Sequence, residues 1–220
     1  MKLNGNSIVT LAVLTLLVFL VMVNSASATV LNINLPPDEV SLVVNYPSSN
    51  CYYDITLSNV PSGYHISNGT YLGWCVDLDH YIWSNTTYWA KMYSTYDPAN
   101  PYENGNWSRI NYILNHKRGG PEDVQDAIWF FTGGEWPNDN PTAQAMINDA
   151  IANGTDFIPG PSEILAVVLY IDDHTQVPII EVTVPIENVV PQYPLGTAIG
   201  LIAFVAAFGL FRYKNRIFNF

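Results

Sequence analysis

Two uncharged apolar runs bracket the interior of this chain. One extends nearly unbroken from Ile8 to Val23 behind Lys2, and the other covers the 17 residues from Leu195 to Phe211. Segments this apolar do not belong on the surface of a water-exposed domain, so any such domain must be built from the residues between them. Ala26-Ser27-Ala28 follows the first run as a small-x-small cleavage signature, which predicts a secretory signal peptide over residues 1–28. Arg212-Tyr213-Lys214-Asn215-Arg216 follows the second run. An apolar stretch of this length is at the short limit for a membrane span, and a basic cluster after it marks the cytoplasmic side. The expected organisation is a signal peptide (1–28), an extracellular domain (29–190), a Pro-containing hinge and transmembrane helix (191–211) and a short basic cytoplasmic tail (212–220). That predicts a single-pass protein of the cell membrane with its main domain outside.

Charge narrows the partners. The 220 residues carry 19 acidic and 8 basic side chains, a net charge of −11. Four of the basic residues sit at the ends, so the interior has 4 basic against 19 acidic groups, or −15. Binding to nucleic acid through phosphate neutralisation is excluded for such a domain, as is docking on anionic lipid. Four N-x-S/T sequons, at Asn68, Asn85, Asn106 and Asn153, agree with export and offer glycosylation sites.

Local patterning predicts an α+β domain, an antiparallel β-sheet or sandwich with a small helical lobe. Ser41–Tyr46, Tyr52–Val60 and Tyr71–Leu78 read as strands, and 81–96 is ambiguous between strand and loop. Trp107–His116 has helical apolar spacing. A second helix opens at Pro121 and stops at Gly133-Gly134, and a third runs from Asn140-Pro141 to Asn153-Gly154. Ile164–Ile171 and Val177–Val184 read as closing strands.

Two blocks carry candidate chemistry: Gly73-Trp74-Cys75-Val76-Asp77 on a strand, and Val124-Gln125-Asp126-Ala127-Ile128-Trp129 on a helix. Together they resemble the thioester domains of bacterial surface adhesins, which have an aromatic-Cys-aliphatic motif and a helical aliphatic-Gln-x-x-aliphatic-Trp motif. The resemblance implies an internal thioester between Cys75 and Gln125, shielded from water by Trp74 and Trp129. It also implies covalent capture of amines on surface proteins or matrix. A thiol suits the step because sulfur is both a good nucleophile and a good leaving group. Capture is a single turnover, so the expected role is attachment and not enzymatic catalysis. His80, close to Cys75 in sequence, is a candidate for proton transfer. Pro191-Gln192-Tyr193-Pro194 resembles the short Pro-Glu-Phe/Tyr-Pro tails of archaeal surface proteins, with Gln192 in place of the acid.

Other readings stay open. Two cysteines in an exported chain commonly pair, and a Cys51–Cys75 disulfide would make the domain a stapled, non-covalent surface or surface-layer module. Asp77 and Asp79, with Asp139 or Asp172-Asp173, are conceivable cation ligands, although no calcium-loop spacing is present. Lys91 and Lys117 are conceivable isopeptide donors with no marked partner. No cofactor or metal is expected, and no hydrolase, metalloprotease or nucleotide-binding motif occurs.

Overall fold

A computed structural model describes residues 33–46 and 52–186. The expected signal peptide, hinge, span and basic tail, and Cys51, lie outside the described residues. The chain divides into two compact units, Met1–Val184 and Pro185–Phe220, and the fold is that of the first. No helix among the described residues is long and apolar enough to cross a membrane.

The described residues form six strands: β1 (Val40–Asn45), β2 (Tyr53–Ser58), β3 (Gly69–Cys75), β4 (Thr87–Ser94), β5 (Ile164–Tyr170) and β6 (Pro178–Thr183). Between β4 and β5 come three helices: α1 (Trp107–Asn115), α2 (Pro121–Phe131) and α3 (Pro141–Asn153). This is the expected β-rich α+β composition, but the sheet is neither open nor a sandwich. It closes into an antiparallel barrel in the order β1-β2-β3-β6-β5-β4. The ambiguous 81–96 stretch explains the difference. Its β4 pairs with β5 on one side and with β1 on the other, which removes both sheet edges.

Strand alternation builds two cores. Val40, Leu42 and Val44 of β1, Ile55 and Leu57 of β2 and Leu165, Val167 and Leu169 of β5 fill the barrel. Ala166 and Val168 of β5 face the other way, against Ile110, Leu114, Ile128, Met146 and Ile147 of the helices. A strand covered on both faces must be apolar throughout, which is why β5 reads Ile-Leu-Ala-Val-Val-Leu-Tyr without alternation. Gly73 makes the barrel wall close at β3, because a Cβ there would meet Ile55 Cδ1 at 2.6 Å and Ile179 O at 3.1 Å.

The helix starts follow their local chemistry. Pro121 opens α2, and the Asp123 carboxylate accepts from Gly120 N at 2.7 Å. Gly119, at φ +71°, brings the chain in so tightly that a Cβ would lie 2.1 Å from Asp123 Oδ2. Asn140 caps α3 by accepting from Ala143 N at 3.0 Å.

Candidate functional site

Cys75 ends β3, buried, with its side chain in the barrel core. Its cross-strand partner is Pro178 on β6, and Gly73 opposes Ile180 two positions earlier. Pairing continues past Pro178, where Val76 N donates to Val177 O at 3.3 Å. Side chains alternate along a strand, so Gln176 falls on the same face as Pro178, diagonal to Cys75 and within reach of a long side chain.

The contacts follow from that register. Gln176 Nε2 lies 2.6 Å from Cys75 Sγ, a separation shorter than ordinary N–H···O bonds although sulfur is the larger atom. The same nitrogen donates to Asp77 O at 3.1 Å, and Cys75 Sγ donates to Asp77 O at 3.0 Å. The Tyr53 hydroxyl donates to Gln176 Oε1 at 2.7 Å. Thiol and carboxamide are thus pressed together, with a hydroxyl donor on the carbonyl oxygen. Tyr53 is itself buried and packs edge-on against Tyr46 at 5.2 Å. Burial, together with the nearby Cys75, pushes its phenol far above the ordinary range, so it remains a donor. Burial also pushes the Cys75 thiol up, an effect opposed by hydrogen bonding from the Trp129 indole, the Asp77 main chain and the Tyr53 hydroxyl.

Gln125 also meets Cys75, but at the backbone. Cys75 N donates to Gln125 Oε1 at 3.0 Å, and Gln125 Nε2 donates to Cys75 O at 2.8 Å. The described register of β2 with β3 ends at Tyr53↔Gly73, so Cys75 projects two residues beyond it. The Gln125 amide completes the ladder there in place of a strand, satisfying one buried donor and one buried acceptor. With both ends of its amide committed to the main chain, Gln125 positions Cys75; the carboxamide that meets the sulfur belongs to Gln176.

The two tryptophans expected as shields part company. Trp74 precedes Cys75 and so points to the opposite face, into the helix-side core, where its Nε1 donates to Glu181 Oε1 at 2.7 Å. It does not cover the sulfur. Trp129, one turn after Gln125 on α2, packs against the barrel cluster that contains Cys75, and its buried Nε1 has no acceptor. Cys75 carries a free thiol among the described residues, and its alternative partner, Cys51, lies outside them.

The loop after β3 is tied to the same place. Gln176 N donates to Tyr81 O at 3.3 Å, and Tyr81 bridges Thr175. Asp77 is buried; its Oδ1 accepts from Asp79 N at 2.9 Å and its Oδ2 lies 2.8 Å from His80 Nδ1. A cleft of about 440 Å³ opens beside this loop, lined by Asp77, Asp79, His80, Tyr102, Thr175 and Val177 among others. Asp172 and Asp173 also border it and Asp139 does not. Among the described residues no three acidic, His or Cys side chains converge as a metal site. Lys117 pairs with Glu181 at 2.7 Å, and Lys91 is exposed on β4. Of the sequon residues, Asn68, Asn85 and Asn153 are exposed, while Asn106 is half-buried and donates from Nδ2 to Phe131 O at 3.0 Å.

Tyr53 and Gln176 are the site residues that sequence reasoning misses. The signal for Gln176 is faint: a polar residue two positions before Pro178, at the mouth of an apolar strand whose partner is not evident locally.

No family model and no curated protein matches the chain. A search of solved structures finds similarity to the N-terminal thioester domain of fibronectin-binding protein SfbI from Streptococcus pyogenes, at 15% identity and a TM-score of 0.41, over 67% of this chain and 95% of that one.

Proposed function

We propose that the barrel domain forms an internal thioester between Cys75 and Gln176 and uses it to attach covalently to amines on surface proteins or matrix. The observation that carries this reading is the 2.6 Å approach of Gln176 Nε2 to Cys75 Sγ, with Tyr53 donating to the same amide's oxygen. The acyl role expected of Gln125 thereby passes to Gln176. In the forming step Cys75 Sγ loses its proton and attacks Gln176 Cδ. Negative charge develops on Oε1, where the Tyr53 O–H is already aimed, the function of an oxyanion donor. The tetrahedral centre then collapses: a C–S bond has formed, the C–N bond breaks, and the amide nitrogen leaves with the thiol proton as ammonia. Burial of Cys75 in the barrel and the Trp129 ring keep water from the product. Capture reverses the polarity. An amine attacks the same carbonyl, an isopeptide forms at Gln176, and Cys75 recovers its thiol.

With the apolar run and basic tail at its C-terminal end, such a protein would be exported and anchored in the membrane with the barrel outside, an adhesion device. Intact mass tests the chemistry. The thioester form is lighter by about 17 Da than the free chain, the mass of the departing ammonia. Cys75→Ala and Gln176→Ala each abolish that loss. A loss of two hydrogens in its place would mean a disulfide and a non-covalent module.

A further inference from the structure

We propose that the Asp77–His80 pair is the proton acceptor for the incoming amine, and that the amine, a lysine side chain or a comparable primary alkylamine, arrives through the cleft this pair lines. The proposal rests on the Cys75–Gln176 reading. An alkylamine has an ordinary pKa of about 10.4 and arrives as an ammonium, which has no lone pair for attack. Something beside the carbonyl must take a proton. Tyr53 is held protonated, Gln125 is committed to the backbone, and Cys75 is the leaving group.

His80 is placed for the task by three links. Asp77 Oδ2 lies 2.8 Å from Nδ1, and a carboxylate there fixes the tautomer that leaves Nε2 as a bare acceptor. Asp77, three residues before, receives both Sγ and Gln176 Nε2 on its carbonyl. Tyr81, one residue after, receives Gln176 N. His80 is therefore strapped on both sides to the residue that carries the electrophile, yet remains half-exposed in the cleft. The other titratable groups on that cleft are Asp79, Tyr102, Tyr170, Asp172 and Asp173, with no Lys or Arg among the lining residues. A cation is the ligand this field favours.

The step balances as follows. The ammonium gives one proton to Nε2, which passes it to solvent. The neutral nitrogen attacks the Gln176 carbonyl, forming C–N. Its second proton moves to Nε2 and on to Cys75 Sγ as C–S breaks, leaving a secondary amide and a thiol.

The experiment uses the purified full-length chain and Nα-acetyl-lysine as probe, following conversion of the thioester form by intact mass across pH 5 to 9. His80→Gln slows capture by about 10²-fold or more and changes the pH dependence of the rate. Asp77→Asn, which keeps a hydrogen bond but donates to Nδ1 and drives the proton onto Nε2, slows it comparably. A His80→Gln protein that carries the thioester and captures lysine at the wild-type rate and with the wild-type pH profile overturns this proposal alone. A wild type with no ammonia loss overturns the thioester reading and this proposal together.

Discussion

Gln125 and Gln176 carry the same carboxamide in opposite settings, distinguished by what each end of the amide touches. At Gln125 both ends are spent on the Cys75 main chain, and at Gln176 the nitrogen sits on the sulfur while a phenol holds the oxygen. Tyr53→Phe removes the phenolic donor while keeping the ring in the core, and should slow thioester formation by about 10²-fold, read as ammonia loss against time. The same pair of buried groups sets an alkaline limit. In the chain before the thioester forms, Cys75 and Tyr53 hold their protons more tightly folded than unfolded, because burial disfavours thiolate and phenolate. The folded chain then binds more protons in the alkaline range, so stability is full below the ordinary values of 9.0 and 10.0 and falls as pH rises through them. Tyr96 and Tyr102, pushed up to about 12 chiefly by burial, act in the same direction. Denaturant midpoints should decline from about pH 9 upward, and less steeply for Tyr53→Phe. A midpoint that rises over that range would contradict the burial of these groups.

At the level of elements, the helical layer is fastened to the barrel by amide side chains that imitate a strand. Asn115 exchanges two hydrogen bonds with the Ile164 main chain, at 2.7 Å each, and Gln125 does the same with Cys75. Buried Asn111 accepts from Ala166 N at 2.8 Å and donates to Thr95 Oγ1 at 2.9 Å. Removing one amide leaves a buried N–H and C=O unpaired, each costing roughly 1–3 kcal/mol, so Gln125→Ala should destabilise the domain by about 2–6 kcal/mol in chemical denaturation. A loss below about 0.5 kcal/mol, the level of an ordinary surface change, would mean that the clamp is not made. The elements themselves were legible from local signals. Pro121, Asn140-Pro141 and Asn153-Gly154 mark helix ends within a residue or two of where they fall, and the apolar runs of β5 and β6 mark strands. What local signals do not carry is partnership. Cys75 and Gln176 are 101 residues apart and meet only because β3 pairs with β6, a register set by barrel closure through β4, the one stretch whose pattern was ambiguous. The Gln-x-x-Ile-Trp block on α2 marks Gln125 locally, whereas the contact of Gln176 with Cys75 needs that register. Trp74 lies away from the sulfur for a simpler reason: neighbours on a strand face opposite ways.

On the scale of the whole molecule, the packed barrel side chains bury Cys75, the helices cover the other face of β5, and the loop from Asp77 to His80 borders an acidic cleft. For the proposed capture, the interior charge of −15 favours cationic amines over anionic partners. The proposed capture depends on which glutamine becomes the acyl group. Methylamine opens a thioester and leaves a methylamide on the residue that supplied the carbonyl. Fragment mass spectrometry of the methylamine-treated protein should therefore find the label on Gln176, with Gln125 unmodified and Cys75 free. A label on Gln125, or none on either glutamine, would contradict it.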